Sequence, residues 1–319
     1  MRKTRFLFLS VILSLVIVSS CKKEDPVVEE DLLIDLVESV MPINNLPSLI
    51  SASNLNSLIL AQQAPLIIDI RASNDYGTGH IPGAVNVAWA DLFTYVETNA
   101  TTSDEIVLVC YTGQSAAFGT GLLRMSGYTN AKSLAFGMSS WHEDFDSWTG
   151  NVSTYYYTFL ETQTNSKPAE GSLPEISTGF DDAEDILSAR IAAVFAEGFT
   201  DNSVGASTVT NTPSNYFIVN YWPEAKYLDP GHIEGAVNYD PEGTNDLLST
   251  DYLKTLPTDE KVVVYCYTGQ GSAFAAAYLN VLGYDALSLR FGANAMMHGN
   301  VPGTNWDAET MIINENYEQ

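Results

Sequence analysis

The sequence predicts an α/β protein of two similar domains, each a parallel sheet flanked by helices. The first observation behind this is an internal repeat. Gly79-His80-Ile81-Pro82-Gly83-Ala84-Val85-Asn86 returns as Gly231-His232-Ile233-Glu234-Gly235-Ala236-Val237-Asn238. Val109-Cys110-Tyr111-Thr112-Gly113-Gln114 returns as Tyr265-Cys266-Tyr267-Thr268-Gly269-Gln270, and Leu134-Ala135-Phe136-Gly137 as Leu289-Arg290-Phe291-Gly292. The offsets of 152, 156 and 155 residues keep order and spacing, which chance does not. The second observation is that short apolar runs alternate with segments of helical period in both copies. The third is size: 319 residues at 45% hydrophobic composition suffice for two ordinary cores.

In chain order, residues 1–20 read as a signal peptide, with Arg2, Lys3 and Arg5 followed by an apolar run too short to span a bilayer comfortably. The small residues before Cys21 resemble a bacterial lipobox, which implies cleavage there and a lipid on Cys21. The expectation is an exported protein anchored in the cell envelope, at the periplasmic face or the outer-membrane surface. Residues 21–28 read as its tether.

The first domain is placed at 29–150. An acidic amphipathic helix (29–40) leads to an apolar strand (65–70), the Gly-His-Ile turn, and a second buried strand (106–109) that ends at Cys110. A five-residue loop and a helix follow, with Phe118, Leu122 and Met125 on one face and Gly127 as its stop. Residues 151–178, with Tyr155-Tyr156-Tyr157, Lys167-Pro168, Gly171 and Pro174, read as a connection. The second domain, 179–303, repeats the plan: a helix (181–198), strands (216–219 and 261–265), Cys266, a helix bearing Phe274, Tyr278 and Leu282, and Gly283. Residues 304–319 form a C-terminal tail.

The formal charge of −25 becomes −28 once the signal, with three basic and no acidic residues, is removed. Such an excess makes nucleic acid an unsuitable partner and repels anions, within a screening length of about 8 Å at physiological salt. With Cys21 lipidated, two thiols remain. Each occupies the same place in its own repeat, which argues against a disulfide between them.

A cysteine at the carboxyl end of a parallel strand, just before a helix, lies where open α/β sheets place ligands. Loop N–H groups and the helix start favour negative charge there, hence thiolate and persulfide alike. The candidate anion cradles are Tyr111, Thr112, Gly113, Gln114, Ser115 and Ala116 around Cys110, and Tyr267, Thr268, Gly269, Gln270, Gly271 and Ser272 around Cys266. This chemistry requires both sulfurs to be ionised and open to solvent. His80 and His232 are expected to hold their turns by hydrogen bonds. His142 and His298 have no further ligand at metal-binding spacing, so no metal site is expected.

Strand, Asp69-x-Arg71, Gly-His-Ile-Pro-Gly-Ala-x-Asn, then a strand ending in Cys-x-x-Gly resembles the rhodanese family, and the two copies resemble its tandem members. The resemblance covers nearly the whole mature chain. It implies two rhodanese-like domains and a sulfurtransferase in which Cys110 or Cys266 accepts a sulfane sulfur as a persulfide. The donor would be a small molecule (thiosulfate, persulfide or polysulfide), the acceptor a thiol or cyanide, and no cofactor is implied.

Two departures qualify that expectation. The family often carries Arg or Lys in the loop, and neither loop here has a cation, so thiosulfate is expected to be a poor donor. Asp69 and Arg71, a charge pair able to brace a loop or hold an anion and otherwise an ion pair at a strand end, correspond to Asn220 and Trp222 in the second copy, and this favours Cys110. Related folds dephosphorylate with an arginine six positions after the cysteine. Ala116 and Ser272 stand there instead, which argues against a phosphatase. The competing reading is a catalytically weak or inactive binding and scaffold lipoprotein. The sequence gives no signal for oligomerisation.

Overall fold

A computed structural model describes residues 28–41, 48–241 and 246–319. Each half carries a five-stranded parallel sheet. In the first, β1 (Leu49–Ile50), β2 (Leu66–Asp69), β3 (Val85–Asn86), β4 (Ile106–Val109) and β5 (Ala131–Leu134) lie in the order β1-β5-β4-β2-β3. In the second, β6 (Ser203–Val204), β7 (Phe217–Tyr221), β8 (Val237–Tyr239), β9 (Val262–Tyr265) and β10 (Ala286–Leu289) lie in the order β6-β10-β9-β7-β8. The two domains have one topology, as the repeat predicts. Central strands β4 and β9 are buried at every position, the pattern of a parallel sheet covered on both faces.

Each cysteine directly follows its central strand. The helix after it begins sooner than the sequence suggests: Gln114–Met125 and Gln270–Val281 start after three loop residues, not five. Gly113 and Gly269 are the reason. Their left-handed torsions (φ 81° and 77°) turn the chain straight into a helix. Gln114, Ser115 and Ala116, like Gln270, Gly271 and Ser272, are therefore the first helical turn, whose N–H groups have no partner within the helix. Both helices stop where glycine predicts. Tyr128 N–H donates to Leu123 O and Gly127 N–H to Arg124 O, a Schellman closure that Tyr284 to Leu279 and Gly283 to Asn280 repeat.

These two helices pack on one another, so closely that a Cβ on Gly121 would stand 3.2 Å from that of Ala277. Leu33, Ile34 and Val37 of the N-terminal helix Glu29–Val40 join the cluster that holds Phe118 and Phe274. The helix Ala183–Asp201 breaks at Gly198 (φ 72°), near the end expected for it. A second seam is aromatic: Trp148 meets Phe291 edge-on at 5.0 Å, Phe136 meets Trp306 at 5.1 Å, and the two indoles stack at 5.5 Å.

The segments after each domain cross over. Glu161 bridges to His232 of the second domain, and Glu318, in the tail, to His80 of the first. Cys21 and the signal segment fall outside the described residues.

Candidate active site

Cys110 Sγ accepts hydrogen bonds from Gly113 N (3.1 Å) and Ala116 N (3.4 Å), one amide from the loop and one from the first helical turn. Cys266 Sγ accepts from Ser272 N (3.3 Å) and lies 3.8 Å from Ser272 Oγ, which pairs with Ser288 Oγ at 2.9 Å. Main-chain dipoles aimed at a sulfur favour its anionic forms. Both cysteines are free thiols.

Their openness differs from what the sequence reading requires. Cys110 is 2% exposed and Cys266 8%. Each loop is pressed into the seam between the domains, and its own Phe-Gly turn lies across it. A Cβ on Gly137 would stand 2.3 Å from Cys110 O and 2.7 Å from both Thr112 N and Gly113 N, and Gly292 lies the same way against Cys266 O. Met138 N–H and Ala293 N–H donate to the cysteine carbonyls at 2.8 and 2.9 Å, and Trp148 Nε1 donates to Thr112 O at 3.1 Å. These contacts explain why Leu-x-Phe-Gly recurs with the cysteine motif.

Asp69 and Arg71 form a buried, forked ion pair, with Arg71 Nη2 2.7 Å from Asp69 Oδ2 and donating also to Gly79 O at 2.7 Å. The guanidinium thus ties a strand end to the Gly-His-Ile turn through Nε and Nη2. In the second domain Asn220 Nδ2 donates to Tyr265 Oη (2.8 Å), Tyr265 Oη accepts from Ile233 N, and Trp222 stacks on Tyr267. A neutral network does the same bracing there. Burial pushes the Tyr265 phenol well above its ordinary range, so it stays a neutral hydroxyl.

His80 Nδ1 and His232 Nδ1 hold the carbonyls of Tyr76 and Tyr227 at 3.1 and 2.9 Å, the turn-holding role expected of them. A shallow cavity of about 350 Å³ beside the first loop is lined by Arg71, Tyr111, Asp75, Asp144, Asp146 and Tyr317. Tyr111 hydrogen bonds to Asp75, and burial with that carboxylate raises its pKa to about 12. Among the described residues no cluster of His, Cys, Asp and Glu has a metal-binding arrangement.

Residues 51–144 and 210–297 each match the family model of the rhodanese-like domain. The chain belongs to the rhodanese-like family. The thiosulfate sulfurtransferase GlpE of Shewanella oneidensis is 34% identical over 92 residues, covering 28% of this chain and 90% of that protein. The adenylyltransferase and sulfurtransferase UBA4 of Candida albicans is 28% identical over 105 residues, 31% of this chain but 24% of that protein, so the match spans about a quarter of its length. The crystal structure of a thiosulfate sulfurtransferase from Pseudomonas aeruginosa aligns over 88% of this chain and 49% of that one, at 18% identity and a TM-score of 0.30. Family and relatives together support a general role in sulfur transfer.

Within this rhodanese-like pair, the sequence reading picks out both cysteines and their loops. It misses the part of Gln114 and Gln270 that faces the other domain. Gln114 Oε1 accepts from Phe291 N (2.7 Å) and Gln270 Oε1 from Phe136 N (2.8 Å). It also misses Trp148 and Trp306, a repeated pair whose spacing of 158 residues was the available signal.

Proposed function

We propose that this protein is a sulfurtransferase that moves a sulfane sulfur through a persulfide on Cys110, on Cys266, or on both. The observation that carries the reading is the aim of Gly113 N–H and Ala116 N–H at Cys110 Sγ. The Cys110 thiolate attacks the outer sulfur of a persulfide R–S–SH. The new S–S bond forms as the old one breaks, and R–S⁻ leaves. A thiolate acceptor then attacks the outer sulfur, takes it as a persulfide, and returns the Cys110 thiolate. The same amides bind the anion before and after transfer, so little reorganisation is needed.

A persulfide or polysulfide suits this site better than thiosulfate. Neither loop offers a cation, the charge of Arg71 is offset by its ion pair with Asp69, and three carboxylates line the cavity beside Tyr111. Thiosulfate carries two negative charges into that field.

The test is incubation of the folded protein with thiosulfate, polysulfide or glutathione persulfide, read by intact mass. One added sulfur is expected from the less charged donors, lost from the corresponding site in Cys110→Ser and Cys266→Ser. Thiosulfate saturating at micromolar concentration would refute the donor preference.

The burial of both sulfurs favours a second reading, a rhodanese-like pair that binds or scaffolds without turnover. No adduct from any donor would select it. We also propose export and lipid anchoring in the cell envelope, on the Cys21 sequence alone. Membrane partitioning that survives Cys21→Ser would overturn that part.

A further inference from the structure

The two cysteine sites meet across the domain seam through a reciprocal pair of glutamines. Gln270 is 1% exposed and belongs to the second loop helix, yet its Oε1 accepts from Phe136 N–H of the first domain at 2.8 Å. Gln114, 2% exposed in the first loop helix, accepts from Phe291 N–H of the second at 2.7 Å. Each amide is oriented at its other end, Gln114 Nε2 by Thr112 Oγ1 (3.1 Å) and Gln270 Nε2 by Thr268 Oγ1 (3.2 Å). A backbone N–H requires an acceptor, so the oxygen must face the phenylalanine in both cases.

What the glutamines hold is the roof of the opposite cysteine. Phe136 and Phe291 adopt left-handed torsions (φ 62° and 61°), which a phenylalanine disfavours. Their glycines, Gly137 and Gly292, lie on the cysteine carbonyls. Gln270 Oε1 also backs the first loop directly. A Cβ on Gly113 would stand 2.4 Å from it, and Gly113 N–H is the amide that reaches Cys110 Sγ. Gln114 Oε1 backs Gly269 in the same manner, 2.6 Å from where a Cβ would be. From Gln270 to the Cys110 sulfur the chain of contacts is therefore unbroken, and it starts in the other domain.

We infer that Gln114 and Gln270 are positioning residues acting across the seam: Gln270 sets the sulfur cradle of Cys110, and Gln114 that of Cys266. This rests on the sulfurtransferase reading for its chemical meaning, but the geometry it asserts is measurable without any sulfur transfer. Each domain contributes a part the other lacks, so neither cysteine site is complete within its own half. Misplacement of a reacting group by about 1 Å costs up to a hundredfold in rate, so loss of a glutamine is readable as a change at one cysteine.

The experiment uses the full chain. Gln270→Met keeps the side-chain volume and removes the acceptor. Alkylation of Cys110 and of Cys266 by iodoacetamide is followed peptide by peptide, alongside persulfide loading from polysulfide. Expected is a change of about tenfold at Cys110 in both readouts, with a smaller one at Cys266, whose own loop Gln270 borders, and the mirror image for Gln114→Met. A merely structural glutamine would disturb its own domain's cysteine or both alike. Either result, or no change at either cysteine, overturns the inference. Gln270→Asn, an amide one methylene too short, replaces the methionine variant should that one fail to fold by circular dichroism. Wild type that takes no sulfur while alkylation still follows the crossed pattern removes the sulfurtransferase reading and leaves the crossed positioning intact.

Discussion

Ser133 Oγ is buried without a hydrogen-bond partner, whereas Ser288, its counterpart in β10, pairs with Ser272 beside Cys266. Ser288 Oγ also donates to Gly269 O at 3.3 Å, and the side-chain partner that the first domain lacks is Ser272, where Ala116 stands instead. An orphaned buried hydroxyl costs roughly 1–3 kcal/mol. Ala116→Ser is expected to satisfy it, raising stability by about 1 kcal/mol in urea unfolding and giving Cys110 the hydroxyl that Cys266 already has. Lower stability, or an unchanged persulfide yield at Cys110, would count against this account. His232 gives the pH dependence. Burial lowers its pKa below the ordinary 6.5, against the pull of the Tyr227 carbonyl and of Glu161, whose Oε1 is 3.2 Å from Nε2. Above that ordinary value folded and unfolded chains are both neutral there. As pH falls below it, the unfolded chain takes the proton first, so stability is lost, at most about 1.4 kcal/mol per pH unit. Between pH 7 and 5, His232→Gln is expected to show a shallower fall in urea midpoint than wild type.

The two central strands of each sheet, the loop helices and their glycine stops are legible in the sequence because each is a local pattern: all-apolar β4 and β9, helical spacing at Phe118, Leu122 and Met125, and Gly127 or Gly283 where the chain must turn left-handed. The loop length is not, since a helix that begins at the residue after Gly113 has no polar cap to announce it. Nor is the depth of the two sulfurs, which is set by elements distant in sequence. The Phe-Gly turn repeats in the sequence, but its purpose depends on contacts with the loop. Gly137 illustrates it. The three atoms nearest a Cβ there are all backbone, Cys110 O at 2.3 Å and two loop amide nitrogens at 2.7 Å, and the torsion itself (φ 60°) is one that alanine resists by about 1–2 kcal/mol. Gly137→Ala is therefore expected to destabilise the first domain by at least about 2 kcal/mol and to abolish sulfur loading at Cys110. Peptide-resolved mass analysis should find Cys266 still loaded; a Cys110 that loads normally would mean that the turn does not support the cradle.

At the scale of the molecule, the two halves are bound by exchange. The tail that leaves the second domain packs on the first: Ile313 N–H donates to Ser140 O, Glu315 N–H to Trp141 O, Trp141 Nε1 to Asn316 O, and Glu318 and His80 exchange backbone bonds at 2.9 Å. Tyr317 fills the space over Gly79, where a Cβ would stand 2.6 Å from its ring, and packs edge-on against Phe145. In sequence this tail is an appendage to the wrong domain, and no local period reveals its destination. The connection after the first domain makes the matching contact with His232 through Glu161. Deleting residues 313–319 removes these bonds from the first domain and uncovers Trp141 and Phe145, while Glu161 and His232 keep theirs. In hydrogen exchange, protection is expected to fall around His80 and in 138–145 and to persist at 231–239, although the deleted segment belongs by sequence to the second half. A loss confined to the second half would mean that the tail supports the domain it leaves, and the exchange would then have no part in holding the halves together.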